Sequence, residues 1–435
     1  MALRVQEFGA TESMGQVNRG PALGRVRSYR WVPLLIFAAS ILITVTFWKI
    51  LPGGFRANEA SDYFAFYEPQ ARNLLAGRGF AHTDGSPATE YPPGHPLILA
   101  GILGMSHWLH LREEIMLSVF AAVGMGLSSV LIFLLARLLW GSGPALIAAL
   151  LWMTYPFALW LTKQPNSEIS FIVAFYAALL LCWYVLVRRP QARVLYFICG
   201  VLCGFAMLIR PIAMGIGILL ALTVWFVKRE TPARARLLLV SLLLLGNLVA
   251  IIPWEAWAYA KTGRVILLST NSVKSLRDGV TFAVETKGYR ENSNLPADVL
   301  LLMDDIRARQ SELNTFASMG RVMSLEFRSH PVAGTKLVLL KLARSWYGTD
   351  SGRLEWQILL IQLAYLIVIS WGSWQAWKQG GIHRWFVIGA LLLVVYFWGM
   401  TFLALSILRY TVPVVGLVFV ASAGGYRRRT RVQAT

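Results

Sequence analysis

A carboxylate set among aromatic rings is the first feature with chemical potential. Asp62 is followed by Tyr63, Phe64, Phe66 and Tyr67, just past a long apolar run. Aromatic side chains at this density suit the headgroup depth of a bilayer, and a carboxylate held among them is placed to act as a general base. The same stretch carries Glu59, Glu68, Asp84 and Glu90, each of which reads equally well as solvated loop charge. Pro92, Pro93 and Pro96 stiffen the backbone and remove amide donors around Glu90, Tyr91 and His95. Farther along, LTKQPNSEIS presents Lys163 and Glu168, with Glu168 equally suited to opening a helix. LIRP places Arg210, and ILRYTVP places Arg409 and Tyr410, each beside an apolar run. An arginine so near membrane depth needs an anionic partner, either a carboxylate or a lipid phosphate. Its planar fork matches a phosphate. Carboxylates and arginines gathered at one membrane face therefore point to group transfer from a lipid phosphate.

The elements that must position these groups are membrane spans. Of 435 residues, 56% are hydrophobic and only 14% charged, where a soluble chain carries about 25% charged residues. With a mean hydropathy of +0.56, this excludes an ordinary soluble enzyme, a disordered regulator and a fibrous protein. Lys and Arg total 41 against 22 Asp and Glu, a formal charge of +19. In a soluble chain that excess would suggest nucleic acid. Here the basic residues sit at the ends of apolar runs, where they set orientation, so no nucleic-acid partner is expected. Cys182, Cys199 and Cys203 lie inside apolar stretches, with neither a disulfide framework nor metal spacing. The histidines are scattered, so no metal and no cofactor is expected.

A bilayer core needs about 20 apolar residues in a helix. Such runs lie at 31–51, 114–138, 143–161, 168–187, 194–209, 211–228, 237–257, 357–377, 385–404 and 410–425. Basic punctuation at Arg137, Arg188, Arg189, Lys228, Arg234, Lys378 and Arg384 fits a topology with both termini cytoplasmic. Residues 96–110 are apolar but short, and read as re-entrant on the outer side. The expected organisation is a cytoplasmic basic arm (1–30), a transmembrane core (31–257) with a first outer loop (52–113), a second outer region (258–356), carboxy-terminal spans (357–425) and a basic tail (426–435). The helix after Ser61 should close at Gly77. In the second region, RVILLST reads as a short β-like run. KLVLLKLARSWYG reads as an interfacial piece, with Lys336, Lys341 and Arg344 snorkelling.

At these residues the chain resembles the polyprenyl-phosphate-sugar-dependent glycosyltransferases of the GT-C superfamily. More narrowly, it resembles glycosyltransferase family 39, the bacterial relatives of the protein O-mannosyltransferases and of the lipid A aminoarabinose transferase. The carriers are Asp62-Tyr63 with AxxLLxGRGF at 71–80, TEYPPGHPLILA at 89–100, SE at 167–168, LIRP at 208–211, PW at 253–254 with LSTN at 268–271, and RYTVP at 409–413. The resemblance implies an all-α polytopic GT-C fold of about 10–11 transmembrane helices in a bacterial cytoplasmic membrane. It implies an inverting transfer from a polyprenyl-phosphate-linked sugar to a lipid, glycan or protein acceptor on the periplasmic face. Asp62 would be the general base or orient the acceptor, and Glu168 matches the second acidic position. Arg210 and Arg409 would bind the donor phosphate, with Tyr410, Glu90, Tyr91, His95 and Lys163 around them. The chain departs from many relatives in carrying Tyr63 after Asp62, Tyr91 before the Pro-Pro pair, and Glu255-Ala256-Trp257 after PW.

Two other classes fit a polytopic chain. A transporter or flippase of lipid-linked glycans would place ionisable residues near mid-membrane on broken helices, often in inverted repeats; here the acids sit at the edge and no repeat is visible. A glycan polymerase or ligase would make its late outer region the working part, and there the only histidine is His330; a non-catalytic membrane assembly partner is the remaining alternative.

Overall fold

The computed structural model describes residues 30–53, 62–82, 84–280 and 295–426. The expected basic arm (save Arg30), Glu59, Ser61 and the tail beyond Tyr426 lie outside the described residues. The described fold is all helical. Its one β feature is an isolated bridge between Ala81 and Pro87.

Every apolar run read as a span is helical. Helices α1 (Val32–Ile50), α4 (Glu113–Trp140), α7 (Glu168–Arg188), α10 (Ala233–Thr262), α15 (Glu355–Trp377) and α16 (Gly381–Leu403) are long and apolar enough to cross a membrane. The shorter apolar helices are α5 (Ser142–Met153), α8 (Arg193–Ile209), α9 (Ile216–Val227) and α17 (Val412–Ala423). Pro156 restarts the chain after α5 as α6 (Pro156–Leu161), so one expected span is a broken pair. Buried side chains of α4, α5, α7 and α17 form the centre, with Phe133, Trp152, Phe175 and Phe419 among them. Helices α1 and α15 bury few of their residues and form the rim. Helices α8 and α10 approach so closely that a Cβ on Gly200 would overlap the Leu243 carbonyl oxygen. Small residues at such contacts let backbones meet where apolar burial gives no drive.

Beyond α1, a π-helical turn (Tyr63–Tyr67) runs into α2 (Glu68–Leu75). Gly77, with φ +72°, ends that stretch, as the spacing implies. Helix α3 (Gly94–Leu109) covers the short 96–110 segment and packs on α2, α4 and α8. A Cβ on Gly94 would lie 2.6 Å from the Leu208 carbonyl oxygen, so the start of α3 is pressed against the end of α8.

The 258–356 region corrects two expectations. RVILLST is not a strand. It is an irregular link to α11 (Asn271–Val280), because α10 takes its backbone groups: Trp254 Nε1 donates to the Leu268 carbonyl at 2.9 Å, and the Leu268 amide donates to Glu255 at 2.8 Å. Helices α12 (Ala297–Ala308), α13 (Phe316–Ser329) and α14 (Pro331–Arg344) then build a small bundle around Val299, Leu302, Ile306, Val322 and Leu337. The α14 segment does not snorkel as a whole. Lys336 is half-exposed and pairs with Asp298 at 2.7 Å, but Lys341 and Arg344 are buried.

Candidate active site

Four chain segments, far apart in sequence, deliver the charged groups. Asp62 precedes the π-helical turn. Glu168 is the first residue of α7, where a carboxylate complements the helix dipole. Arg210 ends α8 in an extended conformation (φ −142°, ψ 121°), as the residue before Pro211 tends to do. Arg409 sits in the short turn Leu408–Tyr410 that leads into α17.

These groups form one connected cluster. Arg210 Nη1 lies 2.8 Å from Glu168 Oε1. Arg409 Nη2 donates to Asp62 Oδ2 at 3.2 Å and to the Tyr410 hydroxyl at 3.3 Å. Arg409 Nε is 4.0 Å from Glu168 Oε1. Both guanidinium carbons lie 5.1 Å from the centre of the Tyr410 ring. Burial is graded. The Arg210 and Glu168 side chains are 9% and 5% exposed, whereas Arg409 and Asp62 are 19% and 27% exposed. Arg409 Nε is a buried donor with no hydrogen-bond partner among the described residues, the Glu168 carboxylate standing 4.0 Å away. An unsatisfied donor of this kind calls for an explanation, and an anionic ligand oxygen supplies one.

Arg409 also borders a half-open cavity of about 530 Å³. Phe47, Leu51 and Pro52 line it from the end of α1, Pro156, Phe157, Trp160 and Leu161 from α6, and Ile358 from α15. The 348–354 loop, with Asp350 and Arg353, supplies polar groups to the same wall set. A largely apolar cavity bordered by guanidinium groups matches an amphiphile with an anionic head.

The other candidates divide. The Tyr91 hydroxyl receives Asn271 Nδ2 at 3.2 Å, and its ring packs on Phe66 and Tyr67. Burial and the nearby Asp62 charge push its phenol well above the usual range. Lys163 Nζ lies 4.2 Å from the ring centre of Trp160, a cavity wall. Glu90 contacts His82 at 3.0 Å rather than His95. His95 is not a rim residue: it is fully buried between α3 and α7. Its Nε2 donates to the Pro165 carbonyl at 3.1 Å, so the neutral ring accepts at Nδ1 from Ser170 Oγ, also at 3.1 Å. Both ring nitrogens are thus committed to holding α3 against the turn that carries Glu168. Arg72 and Arg78 point elsewhere, bonded to Glu68 and Glu113 and to Asn73 respectively.

Tyr67, Asn271 and Asp350 are not among the site residues expected from the sequence. Tyr67 donates to Ser167 Oγ at 3.2 Å, beside Glu168. The LSTN run that ends in Asn271 was the available signal for that residue; Asp350 had none. Away from the cluster, Asp305, Glu326 and His330 hold three possible cation ligands within 4.8 Å of one another, but Arg309 already occupies Glu326 at 2.9 Å.

Residues 92–257 match the dolichyl-phosphate-mannose-protein mannosyltransferase family. That stretch holds Glu168 and Arg210 but neither Asp62 nor Arg409. No curated protein matches the chain. Among solved structures, it is similar to the apo crystal structure of the Archaeoglobus fulgidus oligosaccharyltransferase, with 13% identity and a TM-score of 0.53 over 91% of this chain and 50% of that one. The archaeal oligosaccharyltransferase AglB from Archaeoglobus fulgidus, solved with an inhibitory peptide and a dolichol-phosphate, gives 15% identity and a TM-score of 0.53 over the same shares. ArnT from Cupriavidus metallidurans, bound to undecaprenyl phosphate, gives 14% identity and a TM-score of 0.42 over 91% of this chain and 78% of that one. The chain spans about half the length of the archaeal enzyme, at 50%. The likeness to the two archaeal structures is one of fold: an all-helical chain that, among the described residues, has six helices long and apolar enough to cross a membrane.

Proposed function

We propose that the chain is an inverting membrane glycosyltransferase. It moves a sugar from a polyprenyl-phosphate donor to an acceptor on the periplasmic face of a bacterial cytoplasmic membrane, with both termini cytoplasmic. The observation that carries this reading is Arg409, which touches a carboxylate on one side and borders an apolar cavity on the other. The lipid of the donor lies in the cavity, and its phosphate meets the Arg409 and Arg210 donors. An acceptor hydroxyl oxygen attacks the anomeric carbon. The bond from that carbon to the phosphate oxygen breaks, and the lipid phosphate leaves with the electron pair. Guanidinium groups aimed at the leaving oxygen stabilise the charge that develops there. The acceptor proton passes to Asp62.

The charges at the site balance before the donor arrives, two carboxylates against two guanidinium groups. An entering phosphate must therefore displace a carboxylate. Asp62, more exposed than Glu168 and held by a longer contact, is the one that yields. Donor binding then frees the base at the moment it is needed. The dolichol-phosphate in the AglB complex is in keeping with a lipid-phosphate ligand.

The test is transfer in proteoliposomes, together with mass spectrometry of polyprenyl-phosphate sugars in cells with and without the gene product. Asp62→Asn should abolish transfer while the protein still inserts and purifies, and the donor should accumulate in cells that lack the protein. Full transfer by Asp62→Asn would remove the base assignment. Substrate accumulation in vesicles without a covalent product would turn the reading toward transport.

A further inference from the structure

We propose that the buried Arg344–Glu355 ion pair is a positioning pair that sets Arg409 for lipid phosphate; the proposal rests on the donor reading above. Arg344 ends α14 and Glu355 begins α15, and their side chains are 2% and 17% exposed. Arg344 reaches Glu355 Oε1 through Nη2, and Oε2 through Nε at 3.2 Å. The intervening loop closes onto the same pair. The Thr349 amide donates to Glu355 Oε1 at 2.9 Å, and the Thr349 carbonyl accepts from Arg344 Nη2 at 3.4 Å.

That loop holds the backbone on both sides of Arg409. The Leu408 amide donates to the Gly348 carbonyl at 2.9 Å. Thr411 Oγ1 donates to the Ser345 carbonyl at 3.0 Å, and both residues are fully buried. Only glycine fits at 348, because a Cβ there would stand 2.7 Å from the Ser406 carbonyl oxygen and 2.8 Å from that of Arg344. Leu354 (φ +59°) and Ser406 (φ +53°) adopt left-handed conformations where the two segments begin to meet. Non-glycine residues pay a strain for this, and it persists only where the surroundings over-determine the backbone.

A largely buried ion pair is a weak source of net stability compared with apolar packing, and fixed geometry is its better-attested use. The geometry fixed here is that of the turn whose one long cation meets Asp62 and the cavity. Gly348, Thr349, Asp350 and Leu354 line that cavity together with Ile407, Leu408 and Arg409, so a shift of the loop moves its cationic wall.

The test compares two ligands on the full chain in nanodiscs: undecaprenyl phosphate, and undecaprenol, which lacks the phosphate. Wild type should prefer the phosphate, and Arg409→Ala should lose that preference. The double variant Arg344→Met/Glu355→Leu removes the pair without leaving a buried charge alone. It should cut the preference about tenfold while undecaprenol affinity and melting temperature hold. Gly348→Ala loosens the same junction from its other side and should act in the same direction, so it decides the matter if the double variant aggregates. A phosphate preference equal to wild type in the folded variants overturns the proposal. So does a parallel loss for both ligands, the signature of a merely structural role. A wild type that does not distinguish the two ligands overturns the donor reading itself, and the positioning role with it.

Discussion

The two ends of the helical bundle use their arginines in opposite ways. At the end that carries α2, α3 and the 348–354 loop, Arg210, Arg344 and Arg409 are buried or nearly so, and each meets a carboxylate. At the other end, Arg236 lies over Trp225 at 4.3 Å, Lys378 over Trp374 at 5.1 Å, Arg384 over Trp377 at 5.6 Å and Arg229 over Trp385 at 5.9 Å. Among the described residues, none of those four is ion-paired. Cations beside tryptophan are the ordinary furniture of a membrane interface, where the ring sits at headgroup depth and the charge reaches water. The contrast separates a cation that marks a boundary from one buried in the site: the first has an aromatic neighbour and no acid, the second an acid and little water.

Removing one partner from each end should break the symmetry most sharply. Glu168→Ala leaves Arg210 buried and unpaired, and a broken buried pair costs about 3–5 kcal/mol. Arg384→Ala removes an exposed contact with Trp377, and such contacts contribute about 0.5–1 kcal/mol. Thermal melts of the purified protein should show a large drop for the first and little change for the second. Equal melting temperatures would mean that the Glu168–Arg210 pair is wetter than its burial implies.

Activity gives the second contrast. Arg409→Ala should lower kcat/KM for transfer about 10²–10³-fold, the usual loss when one preorganised donor to a developing anion is removed. Arg384→Ala should leave transfer unchanged. If Arg409→Ala raised KM alone, with kcat intact, Arg409 would bind the donor without stabilising the leaving phosphate.

The boundary end was legible in the sequence because basic residues and tryptophans gather where its apolar runs end. Lys378, Trp374 and Trp377 lie within five positions of one another, and the apolar runs between basic clusters are long. The site end was legible in kind but not in pairing. Asp62, Arg210 and Arg409 stood out because a charge beside an apolar run is costly, yet 347 residues separate the two partners of the Asp62–Arg409 contact. The contacts of His95 were hidden for the same reason. A histidine among prolines looks like a rim residue, and only the packing of α3 on the Pro165 turn reveals that both its nitrogens are spent. The fate of RVILLST was likewise hidden, since a β-like run needs a partner strand and its backbone is claimed instead by Trp254 and Glu255. Arg344 seemed a snorkelling side chain because Glu355 lies beyond a loop whose closure no periodicity announces.

Lys341 belongs to neither end's pattern and so sharpens the contrast. It lies one helical turn before Arg344 on α14, buried, with its ammonium 5.0 Å from the centre of the Phe402 ring. Among the described residues, no carboxylate pairs with it. Burial, reinforced by the charge of Arg344, pulls its amine down from 10.5 to about 7. The unfolded chain therefore holds one more proton than the folded one between pH about 7 and 10.5, and stability rises with pH through that window. Below it, both states are protonated and the cost of the buried charge is present in full. Melting curves taken from pH 6 to pH 9 should climb by about a few degrees more for wild type than for Lys341→Met, which removes the titrating group and keeps the apolar stem. Parallel curves for the two proteins would place the Lys341 ammonium in water. Lys341 would then join the boundary cations, and Arg210, Arg344 and Arg409, each with its acid, would be left as the buried cations of the site end.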